Sequence, residues 1–343
     1  IRHMTTPRPS TAPPTLLSLG TSSGLTRSRA LQGQRVSSKL FVVAVDGTRM
    51  SKRALRLAAW LMDTGTRDKI KCVCVSDGKD INRMTALDHV KEGEKDLMDL
   101  GLGRYTAPGE VLFVHDGGNV VDTLNKVASG GHLVMGTSGE KRAGKGKATN
   151  DPALVGSVSL QCMATCSAPV ILCKPKGTPA LDSTKGMQMR GQGVSGTKIV
   201  VSVDGSKISQ KCFDMSLRFV KPADMIHVVH VQNSDQNMLR PGASNSLLGN
   251  SAIDTYYSQE CAKAEHRFPR SRFVYQALPI QKASVVETIL AYTESVLADM
   301  IIMGSVELGK ASSLSKGLAL GSVSAAIARR TPAHVLIAKN FAL

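Results

Sequence analysis

Short apolar runs recur along the chain, each followed by a polar turn and then by a stretch with helical spacing. Leu40–Val45 precedes Ser51–Met62, in which Ala54, Leu55, Leu57, Ala58 and Leu61 share a helical face and Ser51 is the expected N-cap. Ile70–Val75 is the next expected strand, Asp80–Leu100 the next helix and Val111–Val114 the third strand. Asn119 with Asp122 marks a helix start, and strand Leu133–Met135, helix Pro152–Thr165 and strand Val170–Cys173 follow. The order then recurs as strand Lys198–Val203, helix Ser209–Phe219, strand Ile226–Val231, helix Ala252–Arg267, strand Arg272–Ala277, helix Val285–Leu297, strand Met300–Met303, helix Leu320–Arg329 and strand Val335–Ala338. Apolar strands alternating with helices predict a parallel sheet covered on both faces.

The recurrence extends to particular residues. Val45-Asp46-Gly47-Thr48 matches Val203-Asp204-Gly205-Ser206, and Asn119-Val120-Val121-Asp122 matches Ser284-Val285-Val286-Glu287. Met135-Gly136 matches Met303-Gly304, Gly156-Ser157-Val158 matches Gly321-Ser322-Val323, and Pro169 and Pro332 each precede a closing strand. A module of roughly 120 residues is therefore duplicated. The expected division is an arm over 1–38, a first domain over 39–175, a linker with five glycines over 176–196 and a second domain over 197–343. The two final strands are expected to pair edge to edge, which would make the repeats a pseudo-two-fold pair.

Composition sharpens this picture at three points. Aromatic residues make up only 4% of the chain, so the interiors are aliphatic. No apolar run approaches ~18 residues, which excludes a membrane-spanning helix. Seven cysteines without a Cys-x2-Cys pair form neither a disulfide framework nor a zinc site, so reduced, buried thiols in a reducing compartment are expected. His227 and His230, three apart on a strand, point to opposite faces and cannot share a metal.

The net charge is +16, and residues 1–39 carry Arg2, Arg8, Arg27, Arg29, Arg35 and Lys39 with no acid. Rich in Pro, Ser and Thr, this segment reads as an extended arm that attaches to an acidic partner. Arg-rich, acid-poor composition also describes a transit peptide, although Pro7, Pro9, Pro13 and Pro14 interrupt any amphipathic helix there. Ile1-Arg2-His3 ahead of Met4 is an unusual native start.

In an open parallel sheet, ligands collect beyond the carboxyl ends of the strands. Asp46-Gly47-Thr48 follows the first strand and Gly136-Thr137-Ser138-Gly139 the fourth, so both fall at that edge. Glycines allow backbone N–H groups close to a phosphate, and the helix opening at Gly156-Ser157 adds a positive dipole end. Lys141, Arg142, Lys145 and Lys147 in the intervening loop could neutralise phosphate charge. The alternative is a solvated loop whose glycines supply flexibility only.

These motifs resemble the universal stress protein family, in both repeats. The resemblance implies two tandem five-stranded, parallel-sheet, open α/β domains of Rossmann-like kind and, in one branch of the family, ATP binding through Gly-x2-Gly-x9-Gly-Ser/Thr. On that resemblance Asp46, with Gly47 and Thr48, would lie near the nucleotide and Val75 or Ser76 near the adenine. Gly136, Thr137, Gly139, Gly156 and Ser157 would hold the phosphates. Sixteen residues separate Gly139 from Gly156, rather than nine. In repeat 2 the second glycine is replaced by Glu307. A carboxylate ~5 Å from a phosphate charge costs ~3 kcal/mol at an effective dielectric of ~20, about a hundredfold in affinity. ATP is therefore expected in repeat 1 only.

Enzyme signatures fail on particular residues. Gly139-x4-Gly144-Lys145 resembles a P-loop, yet Gly146 stands where Mg²⁺ needs a hydroxyl. No Gly-x-Ser-x-Gly nucleophile turn joins an expected strand to a helix, His-Glu-x2-His does not occur, and Asp46 and Asp204 have no evident acid–base partner, so a non-catalytic cytoplasmic binding protein is expected. The rival expectation is a scaffold that uses the fold without nucleotide, its basic arm and loops held on a microtubule lattice, the ciliary axoneme or another acidic cytoskeletal surface. Nucleic acid is disfavoured, because the basic residues are not interleaved with aromatics that could stack bases.

Overall fold

The computed structural model describes residues 38–76, 80–114, 118–137, 155–175, 181, 196–232, 250–280, 284–305 and 320–339. The arm, most of the linker and the basic loop with Gly139, Lys141, Arg142, Lys145 and Lys147 lie outside the described residues.

Repeat 1 comprises β1 (Leu40–Ala44), α1 (Arg49–Leu61), β2 (Lys69–Ser76), α2 (Asp80–Asp99), β3 (Thr106–Phe113), α3 (Val120–Ala128), β4 (His132–Gly136), α4 (Ser157–Thr165) and β5 (Val170–Cys173). Repeat 2 follows with β6 (Lys198–Val203), α5 (Lys207–Phe219), β7 (Met225–Gln232), α6 (Asn250–Arg267), β8 (Arg272–Pro279), α7 (Val285–Ser295), β9 (Met300–Gly304), α8 (Ser322–Arg330) and β10 (His334–Ala338).

Each repeat forms five parallel strands, and the two sets join in one ten-stranded sheet of order β3-β2-β1-β4-β5-β10-β9-β6-β7-β8. The junction is antiparallel, with Leu336 opposite Ile171, so the final strand of each repeat removes the other's open edge. Strand residues alternate between two cores. Phe41, Val43 and Val45 pack with α1, α2, α5 and α6, whereas Val42 packs with α3, α4, α7 and α8. No helix among the described residues is long and apolar enough to cross a membrane.

Four buried or partly buried lysines tie the repeats together. Lys39 Nζ donates to Arg218 O (3.2 Å) at the end of α5, and Lys221 Nζ to Trp60 O (3.1 Å) and Met62 O (2.6 Å) at the end of α1. Lys174 Nζ donates to Arg329 O (3.2 Å) in the last turn of α8, and Lys339 Nζ to Met163 O and Ala164 O in the last turn of α4. In every case the amine comes from one repeat and the helix end from the other. Each thereby occupies carbonyls that the helix leaves unpaired and sits at the negative end of its dipole.

Several expected boundaries need correction. Thr48, rather than Ser51, is the N-cap of α1, and its hydroxyl accepts from Ser51 N (3.2 Å). Strand β3 starts at Thr106, ahead of Val111, despite Pro108. As the outermost strand it can carry a residue without an N–H, and its register with β2 shifts there. Helix α4 begins at Ser157 with Gly156 as N-cap, well after the expected Pro152. Gly321 caps α8 in the same way, after the expected Leu320.

Candidate functional site

The first turn after β1 is built on Asp46. Its Oδ1 accepts from Thr48 N (3.1 Å) and Thr48 Oγ1 (2.6 Å), and its own N–H reaches Ser51 Oγ (3.3 Å). Gly47 holds φ +73°, and a Cβ there would fall 2.2 Å from the His89 imidazole. The turn thus needs glycine for its positive φ, and a side chain there would also have to displace the His89 ring.

At the end of β4, Gly136 packs against the first turn of α1. A Cβ there would lie 2.9 Å from Met50 Cβ and 3.1 Å from its backbone carbon. Ser159 Oγ donates to Gly136 O (2.9 Å), and Gly156 N donates to Thr137 O (2.5 Å), which aims the start of α4 at the same edge. Gly156 supplies no side-chain cap, so among the described residues no cap side chain takes up the N–H groups of the first turn. An uncapped helix start lining a hollow is an anion-binding arrangement.

These elements enclose a cavity of about 410 Å³. Of the residues expected from sequence, Asp46, Thr48, Val75, Gly136, Gly156 and Ser157 line it. Gly47 supports the turn from behind, while Ser76 and Thr137 are buried beside the lining without forming part of it. Gly139 lies outside the described residues. Sequence reasoning missed the apolar wall of Val120 and Leu124 from α3 with Met135 and Val158, and the hydroxyls of Ser51 and Ser159. The helical spacing of Val120 and Leu124 was visible, but core and cavity wall give the same pattern. Cys74 also lines the cavity, and burial, with the Asp46 charge adding, pushes its thiol up to about 11. It is a neutral wall group at ordinary pH.

Repeat 2 reproduces the turns. Asp204 Oδ1 accepts from Ser206 N (3.0 Å), Gly205 holds φ +78°, Ser324 Oγ donates to Gly304 O (2.7 Å) and Gly321 N to Ser305 O (2.7 Å). The side wall differs. The strand register makes His230 the counterpart of Cys74, and its Nδ1 lies 3.1 Å from Asp254 Oδ1. Tyr275 donates to the same oxygen (2.5 Å), and Gln232 donates to Asp254 Oδ2 (2.7 Å). Tyr257 OH lies 3.1 Å from Ser209 Oγ, where the counterpart of Tyr257 on α2 is Gly93. The bonds from Tyr275, His230 and Gln232 hold Asp254 below the usual carboxylate range, against the effect of burial. Glu307 lies outside the described residues.

The remaining candidates resolve as packing groups. His227 Nδ1 lies 3.0 Å from Tyr292 OH on α7 while His230 faces α6, and no group of three or more metal-ligating side chains occurs among the described residues. All seven cysteines are buried and free.

The sequence profile of the universal stress protein family matches residues 196–339. No curated protein matches the sequence significantly. Among solved structures, a functionally unknown protein from Pseudomonas aeruginosa PAO1 aligns over 89% of this chain and 94% of its own at 12% identity, with a TM-score of 0.51. A candidate universal stress protein from Pseudomonas aeruginosa UCBPP-PA14 aligns over the same shares at 13% identity and a TM-score of 0.51. A universal stress protein family protein from Arabidopsis thaliana with AMP bound aligns over 43% of this chain and 93% of its own, at 17% identity and a TM-score of 0.30. Residues 196–339 are thus a universal stress protein domain, and the first repeat carries the same alternating α/β fold in tandem with it.

Proposed function

We propose that repeat 1 binds an adenine nucleotide such as ATP in the cavity at the carboxyl edge of β1 and β4, and that it holds the nucleotide without turning it over. One observation carries the reading: a single cavity unites Asp46 and Thr48 with Gly136 and with the uncapped first turn of α4 at Gly156 and Ser157. The apolar wall of Val75, Val120 and Leu124 suits a base, and the helix start suits phosphate. Thr48 engages the Asp46 carboxylate twice, which favours a fixed acceptor for a ligand hydroxyl or amine over a general base. Repeat 2 is read as empty, because Glu307 stands at its second glycine position and its side wall is the His230–Asp254–Tyr275 network.

Ser157→Asp separates this reading from mere flexibility of the turn. A carboxylate at the first position of α4 favours the helix dipole, so the melting temperature should hold or rise slightly. The same charge opposes phosphate, so ATP affinity should fall about a hundredfold while adenosine affinity is unchanged. Equal loss for ATP and adenosine, or no loss for either, counts against phosphate at this helix start. Absence of any ATP binding by the unsubstituted chain at millimolar concentration overturns the function itself.

A further inference from the structure

The ten-stranded sheet ends in two strands that are built differently. β3 is interrupted by Pro108 and by the register shift between Lys71 and Val73, whereas β8 follows β7 without a shift from Arg272 to Pro279. In a chain of net charge +16, residues 273–280 carry no charge. Charged side chains, lysine above all, are the usual guard of an open edge, and β8 lacks them. The N–H groups of Arg272 and Ile280 donate to Asp224 O (2.9 Å) and Gln232 O (3.3 Å). The even-numbered residues therefore turn their backbone groups toward β7, and those of Phe273, Tyr275 and Ala277 face outward. Some of these outward groups are already taken: Phe273 N donates to Glu265 Oε1 (3.0 Å), and Ala277 O accepts from Gln276 Nε2 (3.1 Å). Phe273 O, Tyr275 N, Tyr275 O and Ala277 N meet no partner among the described residues.

We propose that β8 pairs with β8 of a second copy of this chain, antiparallel about a two-fold axis at Tyr275. In that register Tyr275 exchanges both of its backbone bonds with Tyr275 of the second copy, and Ala277 N donates to Phe273 O in each direction. Every free group then meets a free group. Setting Tyr275 opposite Ala277 or Phe273 instead would aim a free group at a capped one, Tyr275 N at Ala277 O or Tyr275 O at Phe273 N. The ladder also ends where its partners run out: Ser271 N is held by Phe268 O (2.9 Å), and Pro279, which would stand opposite Ser271, has no N–H. No like charges meet. Arg272 would lie beside Leu278 and Val274 beside Gln276, with Tyr275 beside its own copy, so a strongly basic chain approaches itself along a neutral strip. The join repeats one that the chain already makes, because β5 and β10 unite the repeats by antiparallel pairing of two strand edges.

The test measures the mass of the full chain by sedimentation velocity across a concentration series. Twice the chain mass, approached at roughly tens of micromolar and falling to the single-chain mass on dilution, is expected. Ala277→Pro removes an N–H that points away from β7, so the strand stays paired within the chain. It deletes about half of the backbone bonds across the axis, and association should weaken at least about thirtyfold. The register is read by mixing a Val274→Cys chain with a Gln276→Cys chain under mild oxidation. These positions face each other at the closely spaced, non-hydrogen-bonded pairs of the ladder, so a cross-linked dimer should form at least about tenfold faster in the mixture than in either chain alone. A single-chain mass at every concentration leaves β8 to a strand of another protein and overturns the proposal, as does a dimer that Ala277→Pro leaves unchanged. If Ala277→Pro fails to fold, the cross-linking pattern decides the matter.

Discussion

After β1, the Asp46 carboxylate takes hydrogen bonds from both the N–H and the hydroxyl of Thr48, and Ser51 beside it faces an open cavity. After β6, Asp204 accepts from Ser206 N, and the serine corresponding to Ser51, Ser209, instead meets Tyr257 OH. Both turns place glycine at positive φ, both cap the following helix through a hydroxyl, and both repeats leave glycine at the start of the last helix. Most of the Asp-Gly-Ser/Thr motif is therefore what the backbone needs to leave a strand and enter a helix. A site resides in what surrounds the turn: small and apolar groups in repeat 1, a hydrogen-bonded Tyr–Asp–His wall in repeat 2.

Exchanging residues between equivalent positions sharpens this contrast, and the largest effect concerns acid. His132 at the start of β4 is buried between Phe41 and Phe219, and His334 at the start of β10 accepts from Lys174 N while its Nε2 meets no partner among the described residues. Burial, with Lys39 and Arg218 adding, lowers His132 from 6.5 to about 4, and burial, with Arg53 and Lys174 adding, lowers His334 to about 3. Above pH ~6.5 both are neutral in the folded and unfolded chain and titration costs nothing. Below it the unfolded chain takes up protons first, so each histidine removes about 1.4 kcal/mol per pH unit until its folded value is reached. Together they should cost about 4 kcal/mol at pH 5. His132→Met, which installs the residue at the corresponding position of β9, Met300, should remove about half of that slope in urea titrations from pH 7 to 5.

Next in size is Lys39→Thr. Lys39 and Asp68 form a buried ion pair at 3.0 Å, whereas the counterpart of Lys39 is Thr197, whose N–H reaches Asp224 as that of Lys39 reaches Asp68. Removing the cation uncovers Asp68 and the end of α5 together, and a loss of about 3 kcal/mol in chemical denaturation is expected. A single transition should persist, because three other lysines still bridge the repeats.

A smaller asymmetry distinguishes the two strand-four glycines. A Cβ on Gly136 meets the backbone of Met50 at 3.1 Å, while the nearest atoms to one on Gly304 belong to the Ile208 side chain, at 2.9 Å. Side chains yield more readily than backbone, so Gly136→Ala should cost about 2 kcal/mol and Gly304→Ala about 1 kcal/mol. Equal costs in thermal denaturation would show that the close packing of α1 on β4 is no tighter than that of α5 on β9.

The succession of strands and helices along each repeat and the place of Asp46 and Gly136 at the strand ends could be read from apolar runs and turn residues, because those patterns are local. The junction could be anticipated only from the open edges of two apolar final strands. What stayed hidden was set by distant parts of the chain. Nothing local distinguishes Lys174 and Lys339, which end up on helices of the opposite repeat, from solvated lysines. The helical spacing of Val120 and Leu124 likewise fits core and cavity wall alike. Residue 181, inside a linker with no hydrophobic period, is a fully buried leucine whose carbonyl accepts from Arg56 (3.2 Å).

The sharpest single measurement is calorimetric titration of the intact chain with ATP, repeated on Asp46→Ala and Asp204→Ala. Binding of about one ATP per chain, lost in the first variant and kept in the second, is the expected result. About two ATP per chain, or equal loss in both variants, would contradict a nucleotide site confined to repeat 1.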